Sequence, residues 1–88
     1  QNGVGLGQCF PNPAADVVTI PFELKSGARV RMEMHDVSGK LVRVLENSTR
    51  AAGAHRLEVN VQNMNEGVYF YTLTAGDVRM TKRMTVVH

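Results

Sequence analysis

The chain has one cysteine, no tryptophan and no segment that sustains a 3.6-residue hydrophobic period. Each absence excludes something. A lone Cys9 cannot build an internal disulfide framework, although it leaves the redox compartment open. Without tryptophan, and with aromatics confined to Phe10, Phe22, Tyr69, Phe70 and Tyr71, there is no planar aromatic row of the kind that stacks on sugars. The missing helical period leaves helix absent or negligible. No apolar run approaches the ~20 residues of a membrane-spanning helix.

Charge and catalytic chemistry are equally sparse. Net charge is only +2. Arg79, Lys82 and Arg83 against Asp77 account for all of it, so the remainder of the chain is neutral. No aromatic is flanked by basic residues, and nucleic-acid binding lacks the electrostatic footprint it requires. The three histidines, His35, His55 and His88, have no ligand spacing, and the first two are expected on polar strand faces. His35, Asp36 and Ser38 carry the letters of a triad but crowd one turn, where they cannot converge across space. The acidic residues show no calcium-loop spacing. Cys9, beside Phe10, reads as a small apolar packer. Asn47-Ser48-Thr49 is a glycosylation sequon of a kind common by chance. The chain is therefore expected to be non-enzymatic, with no catalytic residue, metal site or cofactor.

What the sequence does contain is strand pattern and turn chemistry. The Val17 to Leu24 run alternates, with Val18, Ile20, Phe22 and Leu24 on one face, and Pro21 within it suggests an edge strand or an interruption. Val30, Met32 and Met34 share a face opposite Arg29, Arg31, Glu33 and His35; Leu57, Val59 and Val61 form another such set. Leu41 to Leu45 is shorter and ambiguous. Val68 to Ala75 is large on both faces, as a central strand would be. Val78 to Val87 alternates Val78, Met80, Lys82, Met84 and Val86 with Arg79, Thr81, Arg83, Thr85 and Val87.

Between these runs lie turn signals. Asp36-Val37-Ser38-Gly39-Lys40 fits a tight turn, with Asp36 accepting backbone amides and Gly39 taking a positive φ. Ala75-Gly76-Asp77 reads as a hairpin. Together the runs predict an all-β fold: an immunoglobulin-like antiparallel β-sandwich of about seven short strands. Eighty-eight residues make one small domain that buries roughly 60–65% of its unfolded surface. Residues 1–9, with Gly3, Gly5 and Gly7, are expected to form a flexible linker, and 10–88 the folded domain. The initial Gln1, with no signal-peptide pattern after it, suggests a piece of a longer precursor.

Read in order, the signatures resemble the C-terminal sorting domain of type IX secretion cargo. The resemblance runs from about Phe10 to Val87. It rests on Pro11, Asn12, Pro13 and Ala14, then Asp36, Ser38, Gly39 and Lys40, then Gly53, Gly67, Tyr69, Leu73, Thr81, Lys82 and Met84. It implies an export signal that takes a periplasmic cargo through an outer-membrane translocon in Bacteroidetes-type bacteria. Shuttle proteins and a sortase-like surface protease are the implied partners, and the cargo is an N-terminal domain that ends at the cell surface or secreted. By this analogy Gly3, Gly5 and Gly7 mark the processing region. Recognition would fall on Gly67, Tyr69, Gly76, Thr81, Lys82, Arg83, Met84, Val86 and Val87. The ending Val86-Val87-His88 departs from the basic terminus common in the family.

Physics supports the terminal strand as the reading head. A strand with charge on both faces suits an edge, where a partner can add a strand or a second copy can make a homodimer. Two rivals come from other classes. One is a carbohydrate-binding or adhesive module that uses Tyr69 and Tyr71 as a platform. The other is a passive module that stabilises a neighbouring catalytic domain.

Overall fold

The computed structural model describes residues 3–88. Seven antiparallel strands make up all of its regular structure: β1 (Val4–Leu6), β2 (Val17–Leu24), β3 (Ala28–Asp36), β4 (Leu41–Arg50), β5 (Gly53–Asn60), β6 (Gly67–Ala75) and β7 (Val78–Val86). They form two sheets, ordered β1-β2-β5 and β4-β3-β6-β7. This all-β sandwich is compatible with an immunoglobulin-like arrangement.

Alternation decides which residues meet between the sheets. Val18, Ile20, Phe22 and Leu24 from β2 and Val59 from β5 face Val30, Met32 and Met34 from β3 and Tyr71, Leu73 and Met84 from β6 and β7. Each such side chain contributes about 1.5–3 kcal/mol on full burial. β6 is central, paired with both β3 and β7, as its large residues on both faces anticipated. Tyr69 lies near the start of β6, and its hydroxyl donates to the Asn65 carbonyl at 2.6 Å. That contact has the form of the tyrosine corner found in such sandwiches.

The turns follow their residues. Asp36 Oδ1 accepts from the Ser38 amide at 2.9 Å, the Ser38 hydroxyl at 2.6 Å and the Lys40 amide at 3.0 Å. Gly39 sits at φ +87°, the left-handed residue of a type I turn with a bulge. These bonds hold the Asp36 carboxyl below its ordinary range, with the Ser38 hydroxyl bond the largest contribution and the Lys40 amide next. At the other end, Gly76 at φ +59° opens the two-residue hairpin that closes Ala75 against Val78.

Three expectations need correction. Val4–Leu6, read as part of a flexible linker, is strand β1: Val4, Gly5 and Leu6 pair with Leu24, Glu23 and Phe22. Leu6 is buried there, and a side chain at Gly7 would come within 2.7 Å of Pro21 Cγ, so these positions are docked onto the sheet. Gln1 and Asn2 lie outside the described residues. Second, β2 is the middle strand of its sheet despite Pro21. Third, His55 is half-buried on the inward row with Leu57 and stacks on Phe22, ring centroids 5.2 Å apart, where a polar face was expected. It lies opposite Phe22 in the β2–β5 register, and paired residues share a face.

Candidate recognition edge

β7 closes one edge of the four-stranded sheet. Because successive strand residues alternate in direction, two sets can be separated. Val78, Met80, Lys82, Met84 and Val86 turn toward the core, and Arg79, Thr81, Arg83 and Thr85 turn outward. Met84 and Val86 are fully buried, whereas Lys82 is half-buried on that inner row, opposite Tyr71. An inward-pointing charge on an edge strand is one way natural sheets discourage indiscriminate pairing.

The Pro11-Asn12-Pro13-Ala14 segment grips the far end of this edge. The Ala14 amide donates to the Thr85 carbonyl at 2.7 Å, and the Val87 amide donates to the Ala14 carbonyl at 2.9 Å. Asn12 Oδ1 accepts from the Thr85 amide at 3.0 Å. Gln8 Nε2 donates to the Arg83 carbonyl at 2.9 Å. Ala14 is completely buried, and a larger side chain there would have to displace the core. The prolines flank Asn12 without offering amide donors of their own, so the segment stops as a clasp and does not extend into an eighth strand.

Tyr71 ties the N-terminal segment to the same sheet. Its hydroxyl accepts from the buried Cys9 amide at 2.8 Å and donates to the Gly7 carbonyl at 3.0 Å. Gly7 donates its own amide to Pro21 O at 2.9 Å. The reciprocal bond is missing because Pro21 has no N–H, so the Gly7 carbonyl is left for the tyrosine. Burial pushes the Tyr71 phenol's pKa up, and the neighbouring Cys9 adds to the shift. Gly3 and Val4 also border, with Gly76, Asp77 and Val78, a cleft of about 280 Å³. The segment expected to be processed thus adjoins the start of the terminal strand.

The residues expected to be recognised do not share one surface. Tyr69, Met84 and Val86 are core. Gly67, opposite Val86, begins β6, and Gly76 makes the hairpin at the other end of the sheet. Thr81 and Arg83 are exposed on the outer face, where Thr81 Oγ1 meets Thr72 Oγ1 at 2.9 Å. Val87 is exposed but held by Ala14. Asp36, Ser38, Gly39 and Lys40 shape a turn at the Gly67 end, since Asp36 pairs with Tyr69.

Sequence reading missed the clasp and the tyrosine bridge, whose partners lie 62 to 75 residues apart. It also missed the exposed apolar residues at the opposite edge, Val37, Leu41, Val42 and Val44. The only signal was the ambiguity of the Leu41 to Leu45 run. Tyr71 is wholly buried and Tyr69 nearly so, which removes the suggested aromatic platform. No group of three metal-binding side chains converges among the described residues. His35 lies 3.8 Å from Glu33, while His88 Nε2 contacts the Met64 carbonyl at 2.7 Å.

The fold and its half-guarded edge define a small β-sandwich module suited to being bound. Residues 8–87 match the family model described as the secretion system C-terminal sorting domain. The chain belongs to that family of type IX sorting signals, whose role is export to the cell surface or the medium. No curated protein matches it.

Proposed function

We propose that this domain is the export address of an N-terminal cargo, read along β7 during passage from the periplasm through an outer-membrane translocon. Shuttle proteins deliver the cargo, and a sortase-like surface protease then removes the domain upstream of Phe10. The observation that carries this reading is the open stretch of β7 before the clasp. A strand edge with unpaired backbone groups is a ready acceptor for another strand. Processing within Gly3–Gly7 requires β1 to leave β2, because backbone that is hydrogen-bonded and partly buried is a poor protease substrate. A second copy of the domain is an alternative occupant of the edge.

The test is an export assay with the chain fused behind a signal peptide and a fluorescent reporter, in a bacterium with a working type IX system. Deleting residues after Asp77 removes buried Met84 and Val86 as well as the edge, so a gentler variant is needed. Thr81→Pro removes one outward amide and the hydroxyl contact to Thr72 while leaving the backbone bonds to β6, and edge strands tolerate proline so placed. The parent chain is expected to reach the medium or surface, and Thr81→Pro to remain periplasmic while still melting cooperatively, at a temperature lowered by loss of the Thr72 contact. Retention of the parent in the periplasm despite folding would defeat the export reading.

A further inference from the structure

The free part of the β7 edge is short and has a definite charge. Outward backbone groups belong to Arg79, Thr81, Arg83, Thr85 and Val87, because the even-numbered residues bond to β6. The clasp and Gln8 occupy the Arg83 carbonyl, both Thr85 groups and the Val87 amide. What remains open ahead of the clasp is both groups of Arg79, both groups of Thr81, and the Arg83 amide. A partner strand therefore has a landing site of about five residues, bounded by the Gly76 hairpin and by Gln8.

Cations flank that site on both faces. Arg79 and Arg83 stand exposed on the outer side, on either side of Thr81, and Lys82 stands on the inner side. None of the three is in an ion pair among the described residues; the ion pairs present join Arg31 and His35 to Glu33, and Arg50 to Glu46. On β3 the acid of the outer face is Glu33, hydrogen-bonded to Arg31; that bond, with the charges of Arg31, His35 and Arg79, holds its carboxyl below the ordinary value, but Arg79 makes no ion pair with it. In the register of the sheet, Arg31, Thr74 and Arg79 form one row, Glu33, Thr72 and Thr81 the next, and His35, Phe70 and Arg83 a third. The β7 end of this face is thus positive in its first and third rows.

We propose that the occupant of this edge is an acidic β-strand of the export machinery, with carboxylates alternating so as to lie beside Arg79 and Arg83. This rests on the export reading above and specifies its partner. The same charges disfavour a second copy. Antiparallel pairing of two β7 strands about Thr81 sets Arg79 opposite the partner's Arg83, twice, and like charges directly opposite one another are destabilising. An acidic strand instead gains cross-strand ion pairs at both positions, and its approach is steered by the field.

Two measurements test this. In the first, the isotopically labelled chain is titrated with a seven-residue peptide alternating Glu and Val, and with the same peptide carrying Lys for Glu. The Glu peptide is expected to shift the amides of Arg79, Thr81 and Arg83 at least tenfold more strongly than the Lys peptide. That preference should collapse in 1 M salt, where the screening length falls to roughly 3 Å. Equal effects of the two peptides, or shifts centred on Leu41–Val44, would overturn the proposal. In the second, the export assay compares R79E/R83E with R79K/R83K. The reversed pair is expected to lose export at least tenfold with its melting transition preserved, and the lysine pair to retain it. Undiminished export of R79E/R83E alongside retention of Thr81→Pro would overturn the acidic partner and leave the export reading standing. Failure of the parent chain would overturn both.

Discussion

The hydroxyl of Tyr71 offers the sharpest test of how the N-terminal segment is held. Tyr71→Phe removes one oxygen and keeps the ring that fills the core. The loss leaves two partners with different fates. The Gly7 carbonyl is only half-buried and can turn to solvent. The Cys9 amide belongs to a residue 2% exposed, so it is left as an unsatisfied buried donor. Such a donor costs about 1–3 kcal/mol, and relief of the buried hydroxyl's own desolvation trims the upper end. A net loss of about 2 kcal/mol lowers the Tm by roughly 8–16 °C in a domain of this size. Circular dichroism against temperature and urea gives the global value. Amide hydrogen exchange at Cys9 gives the local one, with a roughly 30-fold acceleration expected for opening confined to that bond. A chain beginning at Phe10 supplies the control, because there the hydroxyl has already lost both partners and the phenylalanine should cost almost nothing. The reasoning is refuted if Tyr71→Phe shifts the full chain's Tm by less than 2 °C, or by the same amount in both backgrounds.

Three further outcomes follow from the Asp36–Lys40 turn, from β1 and from β4, where the Glu46 carboxylate accepts from the Ser48 hydroxyl at 2.5 Å and from Arg50 Nε at 2.7 Å. Gly39→Ala places a side chain at φ +87° with open space around it, so its cost is backbone strain alone, about 1–2 kcal/mol. Gly5→Ala, whose added carbon would sit 3.9 Å from Glu23 Cβ in ordinary contact, should leave the melt nearly unchanged. The Arg50 guanidinium, and after it the Ser48 hydroxyl, hold the Glu46 carboxyl below its ordinary value of 4.5. Folding lowers that pKa, so the ion pair stabilises the domain above pH 4.5 and its contribution disappears as pH falls through the folded value. Glu46→Gln should therefore flatten the acid side of a Tm-against-pH curve and cost about 0.2–1 kcal/mol at neutral pH. An unchanged acid slope would show that the pair contributes nothing.

The contrast between local and distant features explains what could be read in advance. Alternation along Val18–Leu24, Val30–Met34 and Val78–Val86 set the buried faces because a strand's side-chain period is two, whatever the strand packs against. The Asp36–Lys40 turn and the Gly76 hairpin were legible for the same kind of reason. Their bonds close within four residues, and a glycine marks where φ must be positive. Charge on both faces of the last run placed it at an edge, since a central strand would have to bury Lys82 on one side and Arg79 and Arg83 on the other.

Tertiary structure alone decided the rest. Nothing local distinguishes Gly3–Gly7 from a tether until β2 offers it an edge and Leu6 a place in the core. Pro21 reads as a strand breaker by itself, yet its missing amide is what frees the Gly7 carbonyl for a tyrosine 64 residues away. The Pro11–Ala14 motif likewise became a clasp only when the fold brought it to Thr85 and Val87. Local pattern determined which faces are apolar and where the chain reverses, because those depend on near neighbours. The open length of the β7 edge depends on hydrogen bonds between segments far apart in sequence, and only the folded chain brings those segments together.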